Sequence, residues 1–368
     1  MSLNSKWFNK LLWSVSIIVA SGCLAYAGVT EELKLPEVWT PRQAVMFGLR
    51  NSPDSSIALQ RIESARATQI EADAVLSHPR LDLSAAYGQT NNPMYSFGNI
   101  LNQGTFANNI DFNDPGRTDN LNLKAELTYR FYNGGRDQAT VEAAESGYQA
   151  SEAALKEVEH QLGFEIVRAF QRIVQAEDQL QARQAELEAI ESSLQVAGAR
   201  FEAGDLLKTE VLNFEVQKAR TSENLIMAEH HKELAEKIFL NLLGLESGTV
   251  VINRENDIDQ WVPDTKQGLE RPELKKLLAT LKAVESQLIR AQGNNLPTFD
   301  GFAAYQYDYG WVNDGSGDSW MAGVKLNYNL WDGHQGHAEI ARKESQYKEL
   351  KEQIHKLQLG INRSGPHS

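Results

Sequence analysis

The sequence is poor in cysteine, in positive charge and in long apolar runs, and each deficit excludes a class of protein. Cys23 is the only cysteine among the 368 residues, so no internal disulfide can form. The 36 Lys and Arg residues face 49 Asp and Glu residues, and this net charge of −13 argues against nucleic acid as a partner, because phosphates bind to positive surfaces. Beyond the N-terminus no apolar run approaches about 18 residues, so we expect no membrane-spanning helix, and any part that crosses a membrane must be a β-barrel.

Catalytic signatures are also missing. The sequence has no Gly-x-Ser-x-Gly elbow, no Gly-x-x-x-x-Gly-Lys phosphate loop and no His-Glu-x-x-His helix. His230 and His231 are adjacent on a predicted helix and therefore do not face together. His334 and His337 have the spacing of metal ligands on a helix, but no cysteine or third histidine lies close by. We therefore expect no enzyme, no cofactor and no metal site.

The N-terminus indicates export. A short basic region precedes the apolar run Leu11–Ala20, and the small residues of Ala25-Tyr26-Ala27 suit a signal peptidase, which predicts a signal peptide over residues 1–27. The alternative is cleavage before Cys23, because Ala20-Ser-Gly-Cys23 resembles a bacterial lipoprotein box. Both interpretations stay open, and both place the mature chain outside the cytoplasm.

No proline occurs between Pro115 and Pro263, so nothing there forces a helix to break. Residues 137–243 are predicted to form two long helices joined at Gly204-Asp205, the first about 100 Å long at about 1.5 Å per residue. An apolar residue recurs at every seventh position, which indicates a left-handed coiled-coil seam. The seam residues are Ile173, Leu180, Leu187, Leu194 and Phe201, with Ala176, Ile190 and Ala197 near its second position. Such a hairpin is a strut or a tube wall rather than part of a compact globule.

A different period, of two residues, runs through residues 121–132. Apolar side chains at the odd positions alternate with polar ones at the even positions, which predicts a strand. One alternative is a half-buried strand of a soluble sheet; the other is a transmembrane strand, apolar toward lipid and polar toward a lumen. The export signal and the length of the strand favour the membrane. Residues 81–89 form the predicted partner strand, and the Asn- and Gly-rich residues 90–120 the loop between them.

The chain then repeats itself. Residues 79–87 match residues 297–305, and Leu127–Gly134 matches Leu326–Gly333, so a helix, two strands and a helix occur twice. The predicted parts are a first repeat at 28–243, a connector at 244–270 and a second repeat at 271–368 with strands 298–309 and 321–331. Only 35 residues follow Gly333. We expect the second helical hairpin to be truncated at the C-terminus.

These features together resemble the TolC family of outer-membrane efflux proteins. The resemblance rests on the repeat, on the strand ends Tyr132-Asn-Gly and Trp331-Asp-Gly, on Leu242-Leu-Gly244 and on the loop Asn92–Gly98. It implies a mixed fold of long antiparallel α-helical coiled-coil hairpins and two pairs of transmembrane β-strands. Three protomers would then form a 12-stranded barrel in the outer membrane of a Gram-negative bacterium, continued by a periplasmic helical tunnel. It also implies a passive exit duct that works with an inner-membrane transporter and a periplasmic adaptor protein.

The resemblance also implies two sets of functional residues. The turn Arg200–Val211 is similar to the family's element at the periplasmic tip, where adjacent hairpins form the aperture and meet the adaptor. Its expected residues are Arg200, Phe201, Gly204, Leu206, Leu207, Thr209, Glu210 and Val211. Gly204 would make the turn, and Thr209 and Glu210 would face the aperture. The expected residues of the barrel lumen are Lys124, Glu126, Arg130 and Lys325.

The sequence also allows two interpretations other than a channel subunit. One is a periplasmic coiled-coil adaptor, an interaction protein with a soluble β-domain; the other is a truncated, non-functional channel fragment. The alternation over residues 121–132, its second occurrence near Ala322–Leu330 and the position of the hairpin after the strands favour the channel. The exported compound and the class of pump do not follow from the sequence, because a wide water-filled duct carries little substrate information.

Overall fold

The structure is a computed structural model that describes residues 35–254 and 271–364. The predicted signal peptide 1–27, with the choice between cleavage after Ala27 and lipidation at Cys23, lies outside the described residues. So does most of the predicted connector 244–270. No helix in the described ranges is both long and apolar enough to cross a membrane.

Two helices open the described chain, and side chains define where each begins. Helix α1 (Pro41–Asn51) starts with a capping box, in which Gln43 N donates to Thr40 Oγ1 at 3.2 Å and Thr40 N donates to Gln43 Oε1 at 3.3 Å. Helix α2 (Pro53–Ser77) follows directly, and Ser52 Oγ accepts a hydrogen bond from its first turn. Proline occupies the first helical position of both.

The strands β1 (Arg80–Thr90), β2 (Thr118–Tyr132), β3 (Thr298–Gly310) and β4 (Gly315–Asn327) form a single antiparallel sheet in chain order. The two predicted strand pairs thus join through β2 and β3. Three strands agree with the prediction within three residues at each end. The predicted strand 321–331 is wrong in its bounds, because a tight turn with Asp314 at φ 47° starts β4 at Gly315, and β3 offers no partner beyond Asn327.

The loop between β1 and β2 contains helix α3 (Pro93–Asn102), which the prediction of a loop over residues 90–120 missed. The local signal is present in the sequence: Asn92 Oδ1 accepts from Met94 N at 3.1 Å, and proline takes the first helical position. The residues on both sides of this helix are mostly loop-forming. The prediction was wrong because the composition of residues 90–120 as a whole is that of a loop, although ten of them form a helix.

The predicted long hairpin is confirmed. Helix α4 (Arg136–Glu202) has 67 residues and helix α5 (Lys208–Leu242) has 35, so α5 accompanies only the distal half of α4. Helix α6 (Pro272–Gly293) and α2 pack along the other half of α4, and α7 (Gln335–Ser364) packs against α6. At one end of the sheet, all four strands connect to helices, namely α2, α4, α6 and α7.

The main hydrophobic core lies where α1, α4 and the end of α5 meet. Trp39, Phe170 and Phe239 are almost fully buried there, with Trp39 and Phe239 in edge-to-face contact at 5.8 Å between ring centroids. Trp39 N donates to Val251 O at 2.7 Å, which ties the segment after α5 to the segment before α1. This core fixes the base of the hairpin.

Candidate functional site

The sheet has one apolar and one polar face, because the strand register aligns the alternation of all four strands. One row across the apolar face consists of Leu83, Ala125, Tyr305 and Trp320, which pair in turn. Leu83 and Trp320 are each 77% exposed, so no described element packs over them. An uncovered apolar face opposite a polar one is typical of a membrane strand.

The opposite face carries the four residues predicted for a lumen. Register places Lys124, Glu126, Arg130 and Lys325 on this single face. Lys124 Nζ lies 2.6 Å from Glu126 Oε2, and Arg130 lies 3.2 Å from Asp300, whose register partner is Lys325. The charges on this face are therefore largely paired within the protomer.

The two outer strands, β1 and β4, each have one edge that no described strand of this chain pairs with. Each edge presents a row of backbone N–H and C=O groups over 11 and 13 residues respectively. Long open edges of this kind are templates for pairing with another chain. The geometry is that of a sheet segment which further strands would extend on both sides.

At the other end of the molecule, Gly204 makes the hairpin turn as predicted. Gly204 has φ +85°, and it closes a Schellman motif in which Gly204 N donates to Phe201 O at 3.0 Å and Asp205 N to Arg200 O at 2.9 Å. Helix α5 begins four residues later, at Lys208, with Glu210 in its first turn, where a negative charge is favourable.

The predicted tip residues are brought together around this turn. Phe201 is 43% exposed and Leu207 70%, whereas Leu206 and Val211 are partly buried. Thr209 and Glu210 are exposed, as is Arg200. A shallow groove beside the turn is lined by Val196, Ala197, Arg200, Leu206 and Phe214. The tip thus combines exposed apolar and charged side chains on a fixed turn.

Ion pairs connect the two helices below the tip. Lys218 Nζ lies 2.9 Å from Glu191 Oε1, and Lys232 Nζ lies 3.3 Å from Glu177 Oε1. Arg254 lies 2.6 Å from Asp178 and 3.1 Å from Glu177, and hydrogen bonds to these two carboxylates raise its pKa. These pairs are at least partly exposed, so each contributes little stability alone.

The two histidine pairs do not form a metal centre with other ligands in the described ranges. No group of three His, Cys, Asp or Glu side chains converges there. The rings of His334 and His337 are 6.2 Å apart between centroids.

The sequence model of the family described as outer membrane efflux protein matches residues 48–245, more than half of the chain. No curated protein is a match. The matched range begins in α1, contains β1, β2 and the whole long hairpin, and ends just beyond Gly244.

Solved structures of outer-membrane channels have the same fold. The CmeC outer membrane channel of Campylobacter jejuni is 17% identical, with a TM-score of 0.70 over 87% of this chain and 68% of that chain. The outer membrane protein VceC of Vibrio cholerae is 18% identical, with a TM-score of 0.67 over 87% of this chain and 75% of that chain. A membrane protein of Pseudomonas aeruginosa is 18% identical, with a TM-score of 0.71 over 88% of this chain and 74% of that chain.

These matches confirm the mixed fold of long helices and antiparallel strands and the prediction of a channel rather than an adaptor. The family consists of passive outer-membrane channels, not enzymes, and its members form trimers that work with an adaptor and an inner-membrane pump. The chain belongs to the outer membrane efflux protein family and is an outer-membrane channel subunit of the tripartite efflux type, with a periplasmic helical extension.

Proposed function

We propose that three copies of this chain close a 12-stranded barrel, with β1 of each copy pairing with β4 of the next. The observation that carries the proposal is the sheet with two unpaired edges, one apolar face and one polar face. Four strands are too few to close a barrel, and three copies of four strands remove every edge. The polar face, with Lys124, Glu126, Arg130 and Lys325, then lines the water-filled lumen.

Disulfide trapping between the edges tests this assembly. Ser84→Cys on β1 is combined in turn with Gly317→Cys, Ser319→Cys, Met321→Cys or Gly323→Cys on β4, all on the polar face. A head-to-tail ring predicts oxidised dimers and trimers for at least one double variant and none for any single variant, because β1 meets β4 rather than itself. Covalent dimers from a single variant would contradict the ring, and so would the absence of cross-links in every pair.

The tip, in our proposal, is the end that opens and that receives the adaptor. Thr209 and Glu210 line the aperture beside Arg200, and Gly204 fixes the turn. Phe201, Leu206, Leu207 and Val211 supply the apolar contact. Support comes from the 70% exposure of Leu207 on a rigid turn, since exposed apolar side chains at a fixed position suit a binding surface.

A photo-reactive residue in place of Leu207 tests the adaptor contact in cells. It is compared with the same residue in place of Ile226, which is 65% exposed but lies further along α5. We expect position 207 to cross-link to an adaptor protein, identified by mass spectrometry, and position 226 not to do so. Equal capture at both positions, or none at 207, would refute the tip assignment.

The transport role of the assembled protein is that of a passive exit duct that catalyses nothing. Solute selection then lies with the inner-membrane pump. The charges of the polar face are largely paired, Lys124 with Glu126 and Arg130 with Asp300, which favours a broad hydrated wall over a site for one ligand.

A further inference from the structure

The segment from Pro93 to Gly116 lies over the polar face of the sheet, at the end farthest from the helices. Three glycines on that face show how closely it approaches. A Cβ on Gly317 would collide with the carbonyl oxygen of Asn102, and one on Gly315 with Thr105 and with the Gln103 carbonyl oxygen at 2.7 Å. A Cβ on Gly310 would meet the amide group of Gln103. The segment is therefore packed against the strands rather than extended away from them.

Gln103 is the main polar anchor of this segment. Its side chain is 1% exposed; Nε2 donates to Asp119 O at 2.6 Å and to Asn120 Oδ1 at 3.1 Å. Its Oε1 accepts from Asn313 Nδ2 at 3.0 Å, in the turn between β3 and β4. One buried amide thus ties the segment both to β2 and to that turn.

The segment also has internal structure of its own. Helix α3 ends in a Schellman motif at Gly104, in which Thr105 N donates to Ile100 O at 3.0 Å. Beyond it, the rings of Phe97, Phe106 and Phe112 form a cluster, the closest pair 4.7 Å apart between centroids. A segment with its own helix, cap and apolar cluster holds a fixed shape.

From this geometry we propose that residues 93–116 form an inward-folded constriction of the outer mouth, which restricts the entry of bulky polar solutes from outside. The inference rests on the proposed function, because it requires the polar face to be the lumen. Gln103 acts as the positioning residue that holds the constriction in place. In a closed ring the three segments would narrow the opening from three sides.

Labelling from outside tests the constriction. Ser84→Cys lies on the polar face below the segment, and Asp114→Cys lies on the exposed part of the segment. Intact cells carrying the full chain are treated with a small and with a bulky membrane-impermeant maleimide, and the parent chain corrects for Cys23. We expect the small reagent to label both sites and the bulky reagent to label only Asp114→Cys.

Three variants in the Ser84→Cys background test whether the packing of residues 93–116 is what keeps the bulky reagent out. Gly317→Ala pushes the segment away through its Cβ, and Gln103→Ala removes the anchor. Gly88→Ala is the matched control, because its Cβ would meet nothing within 4 Å on the same face. We expect bulky labelling to rise roughly fivefold or more in Gln103→Ala, as the loss of about one net hydrogen bond allows. It should also rise in Gly317→Ala, because the added Cβ displaces the Asn102 carbonyl, and it should not rise in the control.

The outcomes separate the inference from the proposed function. Bulky labelling of Ser84→Cys in the parent as fast as that of Asp114→Cys would overturn the constriction and leave the lumen assignment intact. Absence of any labelling at Ser84→Cys, even with residues 93–116 replaced by a short Gly-Ser link, would overturn the lumen assignment itself. The amount of each variant in outer membranes is measured in parallel. Gly317→Ala leaves the Gln103 anchor intact, so it tests the constriction even if Gln103→Ala fails to fold.

Discussion

The two halves of α4 are held in different ways. From the sheet as far as Ala176, α4 is packed by several elements: α2 and α6 lie along it, and Ile166, Phe170 and Ile173, near its middle, are buried by α1, by the end of α5 and by one another. From Glu177 to the tip, α5 is the only described helix that packs against α4, and Ala197 is the one buried residue of α4 between 177 and 202. The base therefore folds through contacts within one protomer, whereas the distal half has surface that further protomers would cover.

The largest expected effect comes from the base. Phe239→Ala empties the centre of the core, where the ring is fully buried, and should lower the free energy of unfolding by about 3–5 kcal/mol. Leu187→Ala, at a half-buried seam position in the distal half, should cost about 1 kcal/mol in the isolated protomer. Denaturant unfolding of a purified monomeric preparation measures both. Similar losses in the free energy of unfolding for the two variants would contradict the difference between the base and the distal half.

The Schellman glycines at the two ends of α5, Gly204 before it and Gly244 after it, give a matched comparison. Gly244, at the base, has φ +77°, and a Cβ there would lie 2.6 Å from Asn51 O; Gly204, at the tip, has φ +85° and open space. Gly204→Ala should cost about 1–2 kcal/mol from backbone strain alone, and Gly244→Ala should cost more because a backbone atom must also move. Thermal unfolding ranks the two, and the reverse order would contradict the packing at the base.

A smaller effect is expected from the ion pair between the arms of the hairpin. The side chains of Lys218 and Glu191 are 43% and 47% exposed, so their coupling should be below about 1 kcal/mol. A double-mutant cycle with Lys218→Gln and Glu191→Gln measures it. A coupling well above that value in a monomeric preparation would mean that the distal half is more self-sufficient than its burial indicates.

The smallest effect concerns pH. The hydrogen bond from Lys237 holds the pKa of Glu233 below its ordinary value of 4.5. Because the pKa is lower in the folded state, the pair stabilises the fold above that ordinary value, and the contribution is lost as the pH falls through the folded pKa. Both side chains are largely exposed, so unfolding of the parent and of Glu233→Gln should differ only slightly at pH 7, and by less at pH 3, where more of the carboxylate is protonated. Unfolding curves at both pH values check this.

Local periodicity predicted the elements whose side chains alternate or repeat without interruption. The odd and even residues of β2 lie on opposite faces as expected, and the seam residues Leu180, Leu187 and Leu194 lie half-buried along the hairpin. Gly204 occupies the left-handed turn that its position predicted. In each case, neighbouring residues are enough to specify the structure.

Features that depend on distant residues were missed. The first residues of β4, Gly315–Ser319, have the composition of a turn and form a strand because β3 pairs with them. Gln103 resembles an ordinary loop residue, yet its amide is buried between β2 and the turn after β3. The core that joins Trp39 to Phe239 brings together residues 200 positions apart, which no local pattern encodes.

The most direct test of the account asks on which side of the outer membrane each end of the molecule lies. Asp114→Cys, beyond the strands, and Asp205→Cys, at the hairpin turn, are treated in intact cells with an impermeant maleimide. We predict that Asp114→Cys is labelled at once and that Asp205→Cys is labelled only after the outer membrane is permeabilised. Equal labelling of both sites in intact cells, or labelling of Asp205→Cys alone, would contradict a sheet that spans the outer membrane with its hairpin in the periplasm.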